Sequence, residues 1–226
     1  IGALGWRLGG WRVATLVSGL VLLIATTGFW DKAVNTVYLM SISVLIAMIM
    51  GVPLGIWAGH SERAHRIFEV INDTLQTLPS FVYLMPVVML FQVGDVSGMF
   101  AVIAYAIAPV IRYTDHGLRH VPHDLMEAAR TAGCTKRQLF WKVEIPLAFP
   151  EILLGINQTV MLAISMLVIT ALVGTTDLGQ EVFIGLSNAD PGRAIVAGIC
   201  VAFIAITADR LIQGWARKRK AQLGIS

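Results

Sequence analysis

The chain has 226 residues, of which 56% are hydrophobic and only 14% are charged, and its mean hydropathy is +0.73. These values exclude an ordinary soluble domain and indicate a membrane protein. The formal net charge of +3 does not indicate a nucleic-acid partner, because the basic residues lie between the apolar stretches, as expected of charges that mark one side of a bilayer.

Six apolar stretches are long enough to cross a bilayer, which takes roughly 20 helical residues. The sequence therefore predicts an all-α, polytopic membrane protein of about six transmembrane helices. The chain opens at Ile1 without an initiator Met or a signal-peptide cleavage pattern, so we expect a further N-terminal piece to precede it. The predicted spans are Val13–Trp30, Val34–Gly59, Phe68–Gly94, Val96–Arg112, Ile152–Thr176 and Ala194–Ala216.

The distribution of basic residues predicts the orientation. Of the 17 Lys and Arg residues, only Lys32 and Arg193 fall on the side opposite the others. Basic residues are retained in the cytoplasm, so we place both termini and the polar loop 116–151 there. We divide the chain into an N-terminal span and flank (1–35), a transmembrane core that includes this loop (36–216) and a basic cytoplasmic tail (217–226).

The polar loop 116–151 carries the signals of two short helices. The segment Pro122–Ala132 is rich in helix formers, and Gly133 is typical of the residue that follows a helix end. Thr135 and Gln138 have the spacing of a capping box at the start of the next helix. This pattern alone fits a protein-docking element and an amphipathic helix on lipid headgroups equally well.

The same loop carries a longer motif. Glu127-Ala128-Ala129, followed by three intervening residues and Gly133, then by nine intervening residues and Val143-Glu144-Ile145-Pro146, resembles the EAA signature of ABC import permeases, which usually ends in I-x-L-P. In that family the loop is a coupling helix seated in a cleft of a separate ATPase subunit. The resemblance implies a type I ABC importer transmembrane domain with a cytoplasmic coupling helix.

Carried over to this chain, the resemblance assigns a role to each position of the motif. Glu127 is the polar anchor, Ala128 and Ala129 form the close-contact face, and Gly133 makes the turn. Pro146 closes the motif. We expect these residues to couple the chain to ATP hydrolysis.

A second resemblance narrows the family. Four stretches are similar to permeases of the glycine betaine and proline betaine importers, and they imply uptake of a quaternary-ammonium or betaine-like compatible solute. Glycine betaine, proline betaine, choline, carnitine and trimethylamine N-oxide are the candidates. The four stretches are Pro150–Ile152, Asn157–Met166, Leu178–Gln180 and Asp209-Arg210.

The family implies a set of partners and a location. We expect a permease homodimer in the bacterial inner membrane, two copies of an ATP-binding cassette subunit and an extracytoplasmic substrate-binding protein that docks near residues 177–190. The chain has no G-x-x-x-x-G-K-[ST] run, so ATP and Mg would be bound by the partner ATPase. We expect no catalytic residue, cofactor or metal in this chain, and no nucleic-acid partner.

The fifth predicted span is unusually polar. Its Asn and Gln side chains are expected either to bond neighbouring helices or to face the translocation path, for which Asn157 and Met161 are the candidates. Aromatic faces suit a quaternary ammonium, but they are more often packing residues, so we expect the selective cage in the binding protein. The aromatic residues available in the spans are Trp57, Phe81, Tyr83 and Tyr105.

Several alternatives compete with this interpretation. His116, His120 and His123 have helical spacing, which fits a metal site less well than ordinary cytoplasmic histidines. Asp209-Arg210 fits local charge neutralisation better than a proton relay. An ABC permease for an amino acid or another metabolite is the nearest alternative function. An ion-coupled secondary transporter would show internal repeats, and an intramembrane enzyme would show catalytic spacings such as H-E-x-x-H; neither pattern is found.

Overall fold

The computed structural model describes residues 15, 18, 19, 21, 22 and 24–223, with the backbone alone from 217 to 223. The described residues up to Thr27 are helical, and residues 13, 14, 16, 17, 20 and 23 of the predicted span Val13–Trp30 lie outside the described part of the chain. From residue 30 onward the chain forms helices joined by short turns, which confirms the predicted all-α class.

In the part of the chain that the structure describes, nine α-helices follow in chain order from residue 30. A turn of 3₁₀ helix at Ser80–Tyr83 precedes α3, another at Ala171–Val173 follows α7, and a π-helical turn at Phe140–Glu144 joins α6 to α7. The helices are α1 Trp30–His60, α2 Glu62–Thr77, α3 Leu84–Phe91, α4 Asp95–Arg119, α5 His123–Thr131, α6 Lys136–Leu139, α7 Ile145–Thr170, α8 Leu178–Ser187 and α9 Pro191–Leu223.

Among the described residues, four helical segments are long and apolar enough to cross a bilayer. They contain the cores of the predicted second, fourth, fifth and sixth spans. A bent pair, α2 with Ser80–Phe91, passes the same test as one unit, which gives up to five crossings in the described part of the chain. The four segments are Trp30–His60, Asp95–Arg119, Lys136–Val173 and Pro191–Ala216.

The prediction of a continuous third span from Phe68 to Gly94 is wrong. The two helices of this region meet at an angle of 105°. Leu78 has an extended backbone because the following Pro79 excludes the helical conformation from the residue before it. The chain still passes from one end of the bundle to the other, but it does so through an amphipathic helix, a bend and a short apolar helix.

Two observed helices extend beyond the apolar runs from which the spans were predicted. Helix α4 continues seven residues past Arg112, because Arg119 near its end is held by Asp115 and Glu62 at 2.9 and 2.5 Å. Helix α7 begins at Ile145, where Pro146 is accepted because the first turn of a helix needs no backbone donor.

Small residues set the helix packing. On α1, glycines recur every fourth residue, and a Cβ at Gly55 would lie 2.7 Å from the carbonyl oxygen of Ile111 and 2.6 Å from the Cβ of Thr114 on α4. A Cβ at Gly155 on α7 would lie 2.7 Å from the Cβ of Tyr113 on the opposite side of α4. Helix α4 is therefore held closely between α1 and α7.

The bundle has two distinct ends. The end that carries His60, Arg119 and the segment 120–144 is called the loop end. The far end carries Lys32, Asp95 and the segment 174–193, and there Gly94 donates its N–H to the carbonyl of Val173 at 2.9 Å. The bent pair runs from one end of the bundle to the other, since Glu62 lies at the loop end and Phe91 near the far end.

Candidate functional site

Residues 122–139, called the elbow, protrude from the loop end. Helix α5 has no buried residue, so it is held by its turns rather than by a core. The structure places Glu127, Ala128 and Gly133 at exposed positions and Ala129 at a half-buried one. Pro146 lies away from them, half-buried in the first turn of α7.

Gly133 makes the turn that the sequence predicts. It has φ of +81°, and its N–H donates to the carbonyl of Arg130 at 2.9 Å, while Cys134 donates to the carbonyl of Ala129 at 3.1 Å. These two bonds form a Schellman motif, which closes a helix through a left-handed residue. A side chain at this position would strain the backbone, although nothing lies within 4 Å of it.

The predicted capping box is also present. Thr135 donates its N–H to Oε1 of Gln138 at 2.9 Å, and Gln138 donates its N–H to Oγ1 of Thr135 at 3.4 Å. The elbow is therefore two short helices in a fixed relation, built by local bonds that do not depend on the rest of the bundle.

Apolar side chains are exposed around the elbow. Leu125 on α5 is 46% exposed, and Trp141 in the π-helical turn is 61% exposed. Both lie outside the long apolar part of α7, and each adjoins a charged residue in the sequence, Leu125 following Asp124 and Trp141 preceding Lys142. An exposed apolar pair beside small residues is a typical contact surface for another protein.

A polar cleft lies on another part of the chain, in the half of α4 nearest the loop end. It has a volume of about 540 Å³ and is bordered by α2, α4 and α7. The cleft was not predicted, although Tyr105 and Gln158 were noted for other reasons. Its lining residues are Gln76, Tyr105, Pro109, Arg112, Tyr113, His116, Gln158 and Leu162.

The cleft contains a charged side chain that is held by an ion pair. Arg112 on α4 forms an ion pair with Asp73 on α2 through Nη2 and Oδ1. The sequence had placed Arg112 at the end of a span, where it would reach the interface; instead α4 continues for two turns beyond it. An arginine within a membrane-spanning helix is costly and is usually retained for a function.

The predicted path residues, Asn157 and Met161, do not border this cleft. Asn157 donates Nδ2 to Oδ1 of Asp209 at 2.9 Å, and Gln213 donates to the same oxygen at 2.7 Å. This is the interhelical bonding expected of polar groups in this span. Met161 is half-buried. Their role in translocation stays a prediction, and their chain neighbours Gln158 and Leu162 are the ones that line the cleft.

The remaining candidate groups are accounted for by packing. His116 and His120 stack with ring centroids 3.9 Å apart, and within the described ranges no group of three His, Cys, Asp or Glu residues could hold a metal ion. Of the aromatic residues noted in the sequence, Tyr83 packs edge-on against Tyr105 at 5.6 Å, and Trp57 packs against Phe68 at 5.7 Å.

Comparison with known proteins places this geometry in a family context. Residues 51–220 match the model of a family described as "Binding-protein-dependent transport system inner membrane component". The matched region begins within α1 and includes the elbow, the cleft and most of α9.

Curated relatives match most of the chain. The chain is 46% identical over all of its 226 residues to the "Trimethylamine N-oxide transport system permease protein TmoV" of Pelagibacter ubique, of which it covers 31%. It is 42% identical over 97% of its length to the "Glycine betaine/proline betaine transport system permease protein ProW" of Escherichia coli, of which it covers 62%. The chain thus spans about a third to three fifths of the length of these relatives.

A solved structure shows the same fold. An amino acid ABC transporter crystallised with histidines superposes with a TM-score of 0.71, covering 87% of this chain and 96% of the other. The two sequences are only 20% identical, so this likeness concerns the fold alone.

Proposed function

The chain belongs to the family of binding-protein-dependent transport system inner membrane components, and from this premise we propose that it is the permease subunit of an ATP-driven importer in the bacterial inner membrane. It would supply the membrane passage, while ATP and Mg would be bound and ATP hydrolysed by a separate ATPase subunit. The elbow is the single observation that carries the proposal, because it is a rigid, exposed, small-residue surface without a core of its own.

The charge distribution supports a cytoplasmic position for the loop end. Basic side chains cluster there, whereas Lys32 and Arg193 at the far end both pair with the buried Glu181, at 3.7 and 2.6 Å. Basic residues in short loops favour the cytoplasmic side. Both termini would then be cytoplasmic, and the far end, with residues 177–190, would face the external binding protein.

The partners follow from this orientation. An ATPase subunit would contact Glu127, Ala128 and Ala129 of the elbow, with Leu125 and Trp141 at its edge. Because an importer of this family works with two ATPase subunits, we propose a permease homodimer with one ATPase on each elbow. Closure of the ATPase pair would displace the elbow as a rigid body and tilt α7, to which it is joined by the π-helical turn.

The substrate proposal rests on the relatives. Two permeases to which this chain is 46% and 42% identical belong to systems named for trimethylamine N-oxide and for glycine betaine and proline betaine. We infer that this chain takes up a small solute of that type, with choline and carnitine as further candidates.

Reconstitution tests the proposal. The chain, its ATPase and its binding protein are placed in liposomes, and uptake of betaines, choline, carnitine, trimethylamine N-oxide and amino acids is measured with and without ATP. We expect ATP-dependent uptake of a betaine-like solute. Uptake of an amino acid alone would show that the chain is an ABC permease for amino acids instead. Uptake driven by a proton or sodium gradient without the ATPase would contradict it.

Cross-linking tests the elbow itself. After Cys134→Ser and Cys200→Ser, a single cysteine is introduced as Ala128→Cys, with Ser187→Cys at the far end as the matched exposed control. We expect the first variant alone to form a cross-link to a cysteine in the ATPase cleft. Equal cross-linking from both positions would contradict the assignment.

A further inference from the structure

The cleft between α2, α4 and α7 has the size and chemistry of a binding site. Its volume of about 540 Å³ lies within the range of roughly 300–1,000 Å³ that is usual for small-molecule pockets. Its walls combine two tyrosine rings with the polar side chains of Gln76 and Gln158 and the guanidinium of Arg112. A lipid-facing groove would not be expected to collect these groups.

Four of the lining residues form one stripe on α4. Tyr105, Pro109, Arg112 and His116 follow the i, i+4, i+7, i+11 spacing that brings side chains to one helix face. Over the seven residues from Tyr105 to Arg112 the helix rises about 10 Å, and the flexible arginine side chain can shorten that gap. The stripe therefore presents an aromatic end and a cationic end to the same space.

The cationic end is electrically balanced but not closed off. Asp73 neutralises Arg112, yet the Asp73 side chain remains 63% exposed and the Arg112 side chain 42% exposed. A ligand carboxylate could share or replace this partner, since a guanidinium donates hydrogen bonds to oxygen atoms from several N–H groups. A ligand with a net positive charge gains no such contact.

The aromatic end suits a positive group without N–H donors. Tyr105 borders the cleft at this end of the stripe, and aromatic faces attract quaternary ammonium ions. Pro109 has no N–H to donate to the carbonyl of Tyr105 four residues earlier, so this oxygen loses its helical partner beside the cleft. Its partial negative charge favours a cation there.

We propose that this cleft is a binding site within the permease for a small zwitterion, which places its anionic oxygen on Arg112 and its quaternary nitrogen against the ring of Tyr105. The proposal rests on the proposed transport function and deepens it: the chain itself selects solutes with both charges over purely cationic ones. Glycine betaine and trimethylamine N-oxide fit, whereas choline lacks the anionic group.

Binding to the membrane complex without added binding protein tests this site. The permease and its ATPase are purified together, and saturable binding of radiolabelled glycine betaine is measured in detergent or nanodiscs. We expect Arg112→Gln to weaken binding at least about tenfold, equivalent to about 1.4 kcal/mol. Arg63→Gln on the exposed face of α2 is the matched control and should bind like wild type. Unlabelled choline should compete at least about tenfold less well than glycine betaine.

A second pair of variants keeps the test independent of the ion pair. Tyr105→Leu removes the ring and should weaken binding about tenfold, whereas Tyr105→Phe keeps it and should bind within about twofold of wild type. ATPase activity and the elution profile of each variant show whether the complex is intact.

The outcomes distinguish a failure of the proposed site from a failure of the proposed transport function. A complex that transports glycine betaine with its binding protein, but shows no saturable binding alone, overturns the site and leaves the proposed transport function standing. Equal competition by choline, or wild-type binding by Arg112→Gln, overturns it as well. A complete system that transports none of these solutes contradicts the proposed function itself.

Discussion

His60, the last residue of α1, lies 2.8 Å from Glu144 through Nε2 and Oε2. Glu144 ends the π-helical turn that joins the elbow to α7, and the ring of Phe140 in the same turn lies 5.7 Å from the His60 ring. The elbow is thus tied to two transmembrane helices, to α7 through the chain and to α1 through this contact.

Removing this contact should weaken transmission without blocking hydrolysis. In Glu144→Ala the elbow can move without α1, so we expect ATPase activity near wild type and about fivefold less transport per ATP, the equivalent of about 1 kcal/mol of lost coupling. The measurement is the ratio of solute uptake to phosphate release in liposomes. Glu69→Ala, whose exposed side chain makes only a 3.9 Å contact with His65, is the control and should keep the wild-type ratio. An unchanged ratio in Glu144→Ala would show that α1 does not take part.

The left-handed turn at Gly133 gives a second coupling prediction. Because Gly133 has φ of +81° with open space around it, a substitution acts through the backbone alone. A residue with a Cβ costs roughly 1–2 kcal/mol there, and a β-branched residue costs more. We expect Gly133→Val to lower transport per ATP by about tenfold while hydrolysis continues.

Asparagine is the matched control at this position, because it tolerates the left-handed region better than other residues with a Cβ. Gly133→Asn should keep the transport-to-hydrolysis ratio within about twofold of wild type. If the valine and asparagine variants behaved alike, the conformation of this turn would have no part in coupling.

The elbow was predictable because its signals are local. The Schellman glycine, the Thr135 and Gln138 capping box and the motif beginning at Glu127 are all read within a stretch of about 20 residues, and capping bonds form between close neighbours in the chain. Pro79 is a local signal as well, but the prediction of a continuous third span did not take it into account. A hydropathy window averages over a span and does not register the one position where the helix must bend.

The cleft was not predictable from the sequence alone. Its walls come from residues 76, 105–116 and 158–162, which meet only because α4 packs between its neighbours. Arg112 was interpreted from an apolar run that ended too early, and its partner Asp73 lies 39 residues before it. Periodicity predicts the helices, but it does not predict which polar faces of separate helices will share one space.

The close contact between α1 and α4 predicts a sharp difference between two glycines. A Cβ at Gly55 would come within 2.7 Å of a backbone oxygen on α4, whereas at Gly198 on α9 nothing lies within 4 Å. We expect Gly55→Ala to force the helices apart and to cost about 1–3 kcal/mol of stability. Gly198→Ala should be neutral or stabilising by up to about 1 kcal/mol, since alanine is the better helix former. Thermal unfolding of the two variants in detergent measures this, and equal midpoints would contradict the contact.

The carboxylate of Glu181 binds one of the two far-end cations more closely than the other. Arg193 donates Nε and Nη2 to Oε2 of Glu181 at 2.8 and 2.6 Å, whereas Nζ of Lys32 lies 3.7 Å from Oε1. Because Glu181 is 5% exposed, loss of its main partner leaves a buried charge. Arg193→Gln should cost about 3–5 kcal/mol. Lys32→Gln should cost only about 1 kcal/mol or less, as expected of the longer ion pair. A larger loss from the lysine variant would reverse this assignment.

Asp177 gives the fold a pH dependence of known sign. It caps α8 by accepting the N–H of Gln180 at 3.2 Å and the hydroxyl of Thr175 at 3.2 Å, but its Oδ2 is buried without a partner within the described part of the chain. Burial raises the pKa of the Asp177 carboxyl above its ordinary range, and the nearby charge of Asp95 acts in the same direction. The folded protein therefore holds this proton more tightly than the unfolded chain does.

The sign of the effect follows from this proton. The contribution of Asp177 to stability is fully present below the ordinary aspartate pKa, about 3.9, and is lost as pH rises through the higher folded value. Asp177→Asn stays neutral and can still accept the capping bonds, so its thermal midpoint should fall less than that of wild type as pH rises from this region toward neutrality. Asp177→Ala should lose the same pH dependence and also about 1 kcal/mol at every pH, because the cap is gone. Wild type and Asp177→Asn with parallel midpoints over this pH window would show that folding does not shift the pKa of Asp177, and the buried oxygen would then need another source of compensation.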